Sequence, residues 1–319
     1  MKHFNPTFYE YQALSHISKY NDVMINIRIP NKKPVEEWTE LDGFFKKKGK
    51  QIVIEVKNYS LSDLDIIKIK NKIDQVNSNN KFDDLIIIAP KFYLKNDYDF
   101  KFIEFEPDIS HLVKFYQDYD PQLPEIFVTN LGWHHFRFQS IYGTKVFRSQ
   151  VDKRINSIDK LKNEINKRLS WPPLKVYWSV MTFLNPKDLF QSESRMYPIK
   201  GPLFFDIDCK SIHYPCIIKN GLCKKGLKIA KNEIKKLVEI LKENNYSEIY
   251  RIFSGRKGYH IYVFDTKSNG NLEERLLITR KLLTSRVKLD AKRSTDIKNS
   301  TTFPSTVNGV SLKEAKILH

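Results

Sequence analysis

The stretch Leu203-Phe204-Phe205-Asp206-Ile207-Asp208 decides how the second half of this chain is read. It is short, apolar and bounded, which suits a strand, and side chains two apart in a strand share a face. Asp206 and Asp208 therefore project together at the strand's end. Two crowded carboxylates repel each other unless a proton or a divalent cation intervenes, and hard oxygen donors suit magnesium or manganese. A lone Asp-x-Asp is also an ordinary strand end or capping pair, so its meaning depends on what accompanies it.

Two companions follow downstream. The segment Ser254 to His260, SGRKGYH, sits between the apolar runs Glu248–Phe253 and His260–Phe264, which read as a hairpin. Its two glycines let the backbone turn tightly and approach a ligand, and Ser254, Arg256, Lys257 and His260 offer donors around one loop. Cations and backbone amides converging on one turn are suited to a triphosphate. A hairpin that is merely basic is the plain alternative. The segment Thr295 to Gly309, TDIKNSTTFPSTVNG, adds Asp296 as a third carboxylate, close to Lys292 and Arg293.

In order and spacing these three segments resemble the three motifs of the archaeo-eukaryotic primase superfamily. The upstream run KVYWSVMTFLNP, starting at Lys175, is similar to the strand that precedes the first motif. The resemblance runs from about Thr129 to the C-terminus and implies a catalytic core with an RRM-like sheet. It implies that Asp206, Asp208 and Asp296 bind two Mg2+ or Mn2+ ions. It also implies that Ser254, Arg256 and His260, with Lys257, Lys292 and Arg293 nearby, contact the triphosphate of an incoming nucleotide. Asn299 and Thr302 stand where relatives carry arginines. Cys209, His213, Cys216 and Cys223 follow the Asp pair where several relatives hold a small zinc site, and thiolate plus imidazole ligands suit structural Zn2+. Plain buried thiols are the alternative. The basic, aromatic stretch containing Arg137, Arg148, Lys153 and Arg154 suits template phosphates and stacked bases, or a wet domain edge.

The first half carries a second constellation. Asp42 ends one expected strand, and Glu55 and Lys57 share a face of the next. Asp42, Glu55, Lys57 and the phrase VIEVKNYS resemble the PD-(D/E)xK nuclease superfamily over about Phe4 to Pro90, with Glu10 matching the extra acid of some members. The resemblance implies one divalent ion on Asp42 and Glu55, with Lys57 orienting the water or the scissile phosphate. Many domains of that kind bind DNA without cutting it.

A net charge of +17 over 319 residues attracts polyanions, although a Lys- and Ile-rich composition also follows from base bias. Hydrophobic residues at 41%, with 11 glycines, argue for a folded chain, and no apolar run approaches the ~20 residues that span a bilayer. A cytoplasmic location is the expectation, with no membrane partner. The pattern predicts an α/β (α+β) protein. The two resemblances imply a restriction-endonuclease-like module over residues 1–95, a connector over 96–124 and a primase-polymerase core over 125–319. The expected partners are a single-stranded DNA template, a primer-template and nucleoside triphosphates. A metal-dependent nuclease, and a catalytically inactive DNA-binding adaptor, are the rival readings. Among local elements, Glu125 to Thr129 is predicted as a strand and the C-terminus as irregular.

Overall fold

The computed structural model describes residues 4–30, 38–77, 82–143, 146–148, 154–186, 197–208, 216–256 and 258–318. The chain is a mixed α/β protein. It divides into two compact units, Met1–Asp108 with Tyr214–Lys225, and Ile109–His213 with Gly226–His319.

In the first unit, helix α1 (Pro6–Ile17) starts where the Asn5 side chain accepts the Phe8 amide and Pro6 presets the first turn. Strands β1 (Val23–Pro30), β2 (Trp38–Lys47) and β3 (Lys50–Val56) form an antiparallel meander. Helix α2 (Asp63–Asn77) then crosses to β5 (Asp84–Ala89), which is parallel to β3. Two-residue strands β4 (Leu61–Ser62) and β6 (Phe92–Tyr93) pair beside that crossover, and β7 (Lys101–Glu104) ends the sheet. The run Leu85 to Ala89 is buried throughout, as a continuous apolar strand with cover on both faces must be. The sixth strand comes from far along the chain: Cys216–Ile218, β12 in chain order, pairs with Val23 to Ile25 at the other edge.

The second unit holds two four-stranded sheets. One is β15 (Ser300–Thr302), β10 (Pro173–Ser179), β8 (Phe136–Ser140) and β9 (Val146–Arg148). The other is β11 (Leu203–Asp208), β14 (Gly258–Val263), β13 (Ile249–Phe253) and β18 (Lys316–Leu318), all antiparallel. Leu203, Phe205, Ile207, Ile261 and Val263 face the helices Lys224–Glu243 and Leu272–Thr284. Period-two alternation sends Phe204, Asp206, His260 and Tyr262 to the opposite face. There Tyr262 packs against Trp178 of β10 with ring centroids 6.1 Å apart, and Phe127 touches both. The two sheets thus meet through an aromatic core.

Two local expectations are corrected. Glu125–Val128 is one turn of helix (α4), not a strand, because Pro124 starts a helical turn that drops Phe127 into that aromatic core. The C-terminus is ordered by short strands: besides β15 and β18, β16 (Val307–Asn308) pairs with β17 (Lys313–Glu314). No helix among the described residues is long and apolar enough to cross a membrane.

Candidate functional site

The register of β11 against β14 builds the site. Asp206 lies opposite His260 and Asp208 opposite Gly258, so the Asp pair and the end of SGRKGYH meet on one face. The approach is close enough to require glycine. A Cβ on Gly258 would strike the Ile207 carbonyl oxygen and lie 2.9 Å from the Asp208 Cα. Gly258→Ala is accordingly expected to cost about 1–3 kcal/mol and to open the strand pairing. Thermal unfolding and nucleotide titration of the variant would check this; unchanged values in both contradict it.

The loop is held from behind. Ser254 donates both its amide (3.0 Å) and its hydroxyl (2.9 Å) to the Gly258 carbonyl. Gly255 has φ +82°, where a side chain would be strained. The Asn308 side-chain amide donates to the Ser254 carbonyl at 2.9 Å and the Ser311 hydroxyl to the Gly255 carbonyl at 2.6 Å. The turn therefore keeps its shape through the β16–β17 hairpin.

These elements enclose a pocket of about 200 Å³ lined by Lys175, Tyr177, Asp206, Asp208, Ser254, Arg256, Gly258, His260, Arg293, Thr302 and Asn308. Asp206 is buried, and the Arg293 guanidinium donates to its Oδ2 at 2.7 Å. His260 Nε2 lies 3.8 Å from Asp206 Oδ1. Burial first, then the cations Arg293 and Lys175, push the His260 pKa down to about 3. The ring is neutral at physiological pH. Tyr262 donates to Thr301 Oγ1, and that hydroxyl is 2.9 Å from His260 Nδ1.

Lys175 and Tyr177 line the pocket without belonging to any of the three motifs, and Arg137 stands next to Tyr177 on the neighbouring strand. In β10 and β8, alternation puts Lys175, Tyr177 and Arg137 on the half-open face beside the Asp pair. Arg137 stacks 5.3 Å and Lys175 5.8 Å from the Tyr177 ring centre. The alternating strings KVYWS and FRFQS held that signal. Arg154 lies over Trp133 at 5.2 Å.

Asp296 is exposed, caps the Lys298 amide at 2.8 Å and does not line the pocket. Lys292 is also exposed, whereas Arg293 reaches Asp206. Asp290 meets the strand through its backbone: its amide donates to the Asp206 carbonyl at 2.9 Å, while its Oδ1 caps the helix Ala291–Thr295 through the Arg293 amide, and like Asp296 it does not line the pocket. Among the described residues no three His, Cys, Asp or Glu side chains converge as a metal set. The donor chemistry of Asp206 and Asp208 fits a hard divalent cation, held by two carboxylates in a pocket that also offers hydroxyl and amide oxygens.

In the first unit, Lys57 Nζ lies 3.0 Å from Glu55 Oε2 and 3.7 Å from Asp42 Oδ2, so the expected trio is together. Lys72, from α2, takes the other Glu55 oxygen at 2.6 Å. Glu55 is completely buried, and both its oxygens face ammonium groups. Burial and then Glu55 raise the Asp42 pKa, while burial of Lys57 is outweighed by Glu55 and Asp42, which raise its pKa. Glu10 is half-buried on α1 and does not complete a metal set with Asp42 and Glu55. Cys216, within β12, and Cys223 are both buried. Cys209, His213, Lys153 and Lys257 lie outside the described residues.

No family model and no curated protein matches the chain. Among solved structures, the polymerase domain of Mycobacterium tuberculosis Ligase D, in complex with DNA, is similar at 13% identity and a TM-score of 0.42, over 66% of this chain and 79% of that one. A protein of unknown function is similar at 10% identity and a TM-score of 0.24, over 28% of this chain and 50% of that one. Likenesses this weak leave function to the geometry of the site.

Proposed function

We propose that the pocket is the catalytic site of a DNA-directed primase-polymerase, which synthesises and extends primers on a single-stranded template. The observation that carries this reading is the pairing of Asp206 with His260 and of Asp208 with Gly258, which joins two carboxylates and a basic glycine loop in one pocket. In such an enzyme, divalent cations on the carboxylates stabilise the charge of an in-line displacement of pyrophosphate by a 3′-hydroxyl. Asp206 and Asp208 are proposed to hold them. Arg256, Lys257 and Arg293 would counter the triphosphate, and Ser254 would hold the loop in shape. His260, held neutral by burial, would contribute hydrogen bonding rather than charge.

For residues 1–95 we propose a nuclease-like fold that docks DNA. Both oxygens of Glu55 are occupied by Lys57 and Lys72, which favours docking over cleavage. We also propose that Cys209, His213, Cys216 and Cys223 hold a structural Zn2+ through thiolate and imidazole ligands.

The test is extension and de novo priming on a single-stranded template with Mg2+ or Mn2+. Wild-type protein is expected to incorporate nucleotides and to stop on adding EDTA. Arg256→Ala should raise the nucleotide KM about tenfold, the equivalent of ~1.4 kcal/mol, with less effect on kcat. Metal-independent incorporation, or none under any metal, sinks the reading; DNA cleavage instead would favour the nuclease.

A further inference from the structure

The helix Lys224–Glu243 buries Ala230, Ile234, Leu237 and Leu241 against the sheet face that carries Leu203, Phe205 and Ile207. Asp206 and Asp208 point from the other face, so this helix backs the sheet on the side away from the pocket. About 120° around the helix from its apolar seam, Lys228, Lys231, Lys235 and Lys242 are exposed. Their i, i+3, i+7, i+14 spacing keeps them within about 60° of arc and spreads them over about 21 Å. Among the described residues the lysine of this helix that forms an ion pair is Lys236, with Glu233, and it lies off the stripe. Glu239 interrupts the stripe and Glu243 flanks it. At the helix's C-terminal end two more cations gather on Asn244: Lys267 donates to its carbonyl at 2.9 Å and Lys281 to its side chain at 2.7 Å.

We propose that this lysine face is a second nucleic-acid contact, separate from the pocket, which takes a phosphate backbone. Lys228 with Lys231, and Lys231 with Lys235, are like-charged neighbours that repel along the helix, and a polyanion turns that repulsion into attraction. A length of about 21 Å matches roughly six phosphates of one strand at 3.4 Å each. An anionic membrane is the poorer fit, because a helix that lies on a bilayer must insert its apolar face and this one has already buried it in the core. The contact does not depend on the chemistry proposed for the pocket.

The experiment uses the full chain with Lys228, Lys231, Lys235 and Lys242 all changed to Gln, and a matching variant with all four changed to Arg. Anisotropy of a labelled 30-nucleotide single strand and a 30-base-pair duplex is followed across a salt series. The Gln variant is expected to bind at least tenfold more weakly at 100 mM salt. Its slope of log affinity against log salt should be shallower by about 3, from roughly 0.7–0.9 per lost phosphate contact. The Arg variant should match wild type, and nucleotide binding in the pocket should be unchanged in both. Wild-type affinity and slope in the Gln variant would overturn the proposal, as would absence of DNA binding by wild type, or loss of binding to phosphatidylserine vesicles with DNA binding intact. A Gln variant that also loses its thermal midpoint is judged against the Arg variant, whose retention of DNA affinity and slope is then required. Failure of primer extension with the salt slope behaving as stated would count against the pocket reading alone.

Discussion

Asp206→Asn is expected to lower nucleotide incorporation by about 10³-fold, or ~4 kcal/mol of barrier, while the thermal midpoint moves by only a few degrees. Asparagine keeps the volume of the buried side chain but removes the charge that faces Arg293 at 2.7 Å and that a divalent cation would need. The cost to folding is small because the Arg293 side chain is 43% exposed and turns to water when its partner is neutralised. The effect on chemistry is large because the same carboxylate sits opposite His260 in the register that forms the pocket. Single-turnover extension at saturating nucleotide, alongside thermal unfolding and DNA binding, separates the two. Retention of more than a tenth of wild-type incorporation would remove Asp206 from the metal site, and a fall in stability that tracks the fall in rate would make it structural.

That Asp206, Asp208 and His260 share a face was legible because strand side chains alternate, even though Phe204 and Tyr262 put apolar bulk on that same face. The basic loop was legible because its glycines mark a turn whose close approaches to Asn308 and Asp208 leave no room for a Cβ. A third acid was not legible: Asp290 and Asp296 stand six apart in one polar segment, and neither lines the pocket. Glu125 to Thr129 failed because an apolar run after proline serves a helical turn as well as a strand, and the aromatic core decided. Lys72 escaped notice because it looks like one more surface lysine on an amphipathic helix, and its ion pair with buried Glu55 is a tertiary fact. In both units the sequence located acids on strands, and the fold then supplied cations from helices that periodicity alone could not place.

Arg275 carries the second large effect. It lies in LEERLLITRKLLT on the inward stripe with Ile278, Thr279 and Leu282, a core position that an arginine occupies only with full partners. It is 1% exposed, and burial lowers its pKa to about 10, so it remains charged. Its Nε donates to the Gly270 carbonyl at 2.7 Å, while its terminal nitrogens reach the Pro202 carbonyl at 2.6 Å, the Ser294 carbonyl at 3.4 Å and Met181 Sδ at 3.0 Å. Pro202 enters β11 and Ser294 follows Arg293, so one guanidinium fixes the strand that bears Asp206 relative to the arginine that meets it. Arg275→Met would leave three buried carbonyls short of a donor at ~1–3 kcal/mol each before relaxation. The expected net loss is about 3–5 kcal/mol, a midpoint lower by roughly 10 °C. Arg275→Lys should recover little of it, because one ammonium cannot span carbonyls that a planar fork reaches in different directions. Below the midpoint, Arg275→Met should still weaken nucleotide binding, since the Arg293–Asp206 pair loses its brace. Thermal unfolding of the three proteins with nucleotide titration at low temperature checks this. A loss under 1 kcal/mol in Arg275→Met would show that the arginine does not hold these segments in place, and full rescue by lysine would show that the charge and not the fork does so.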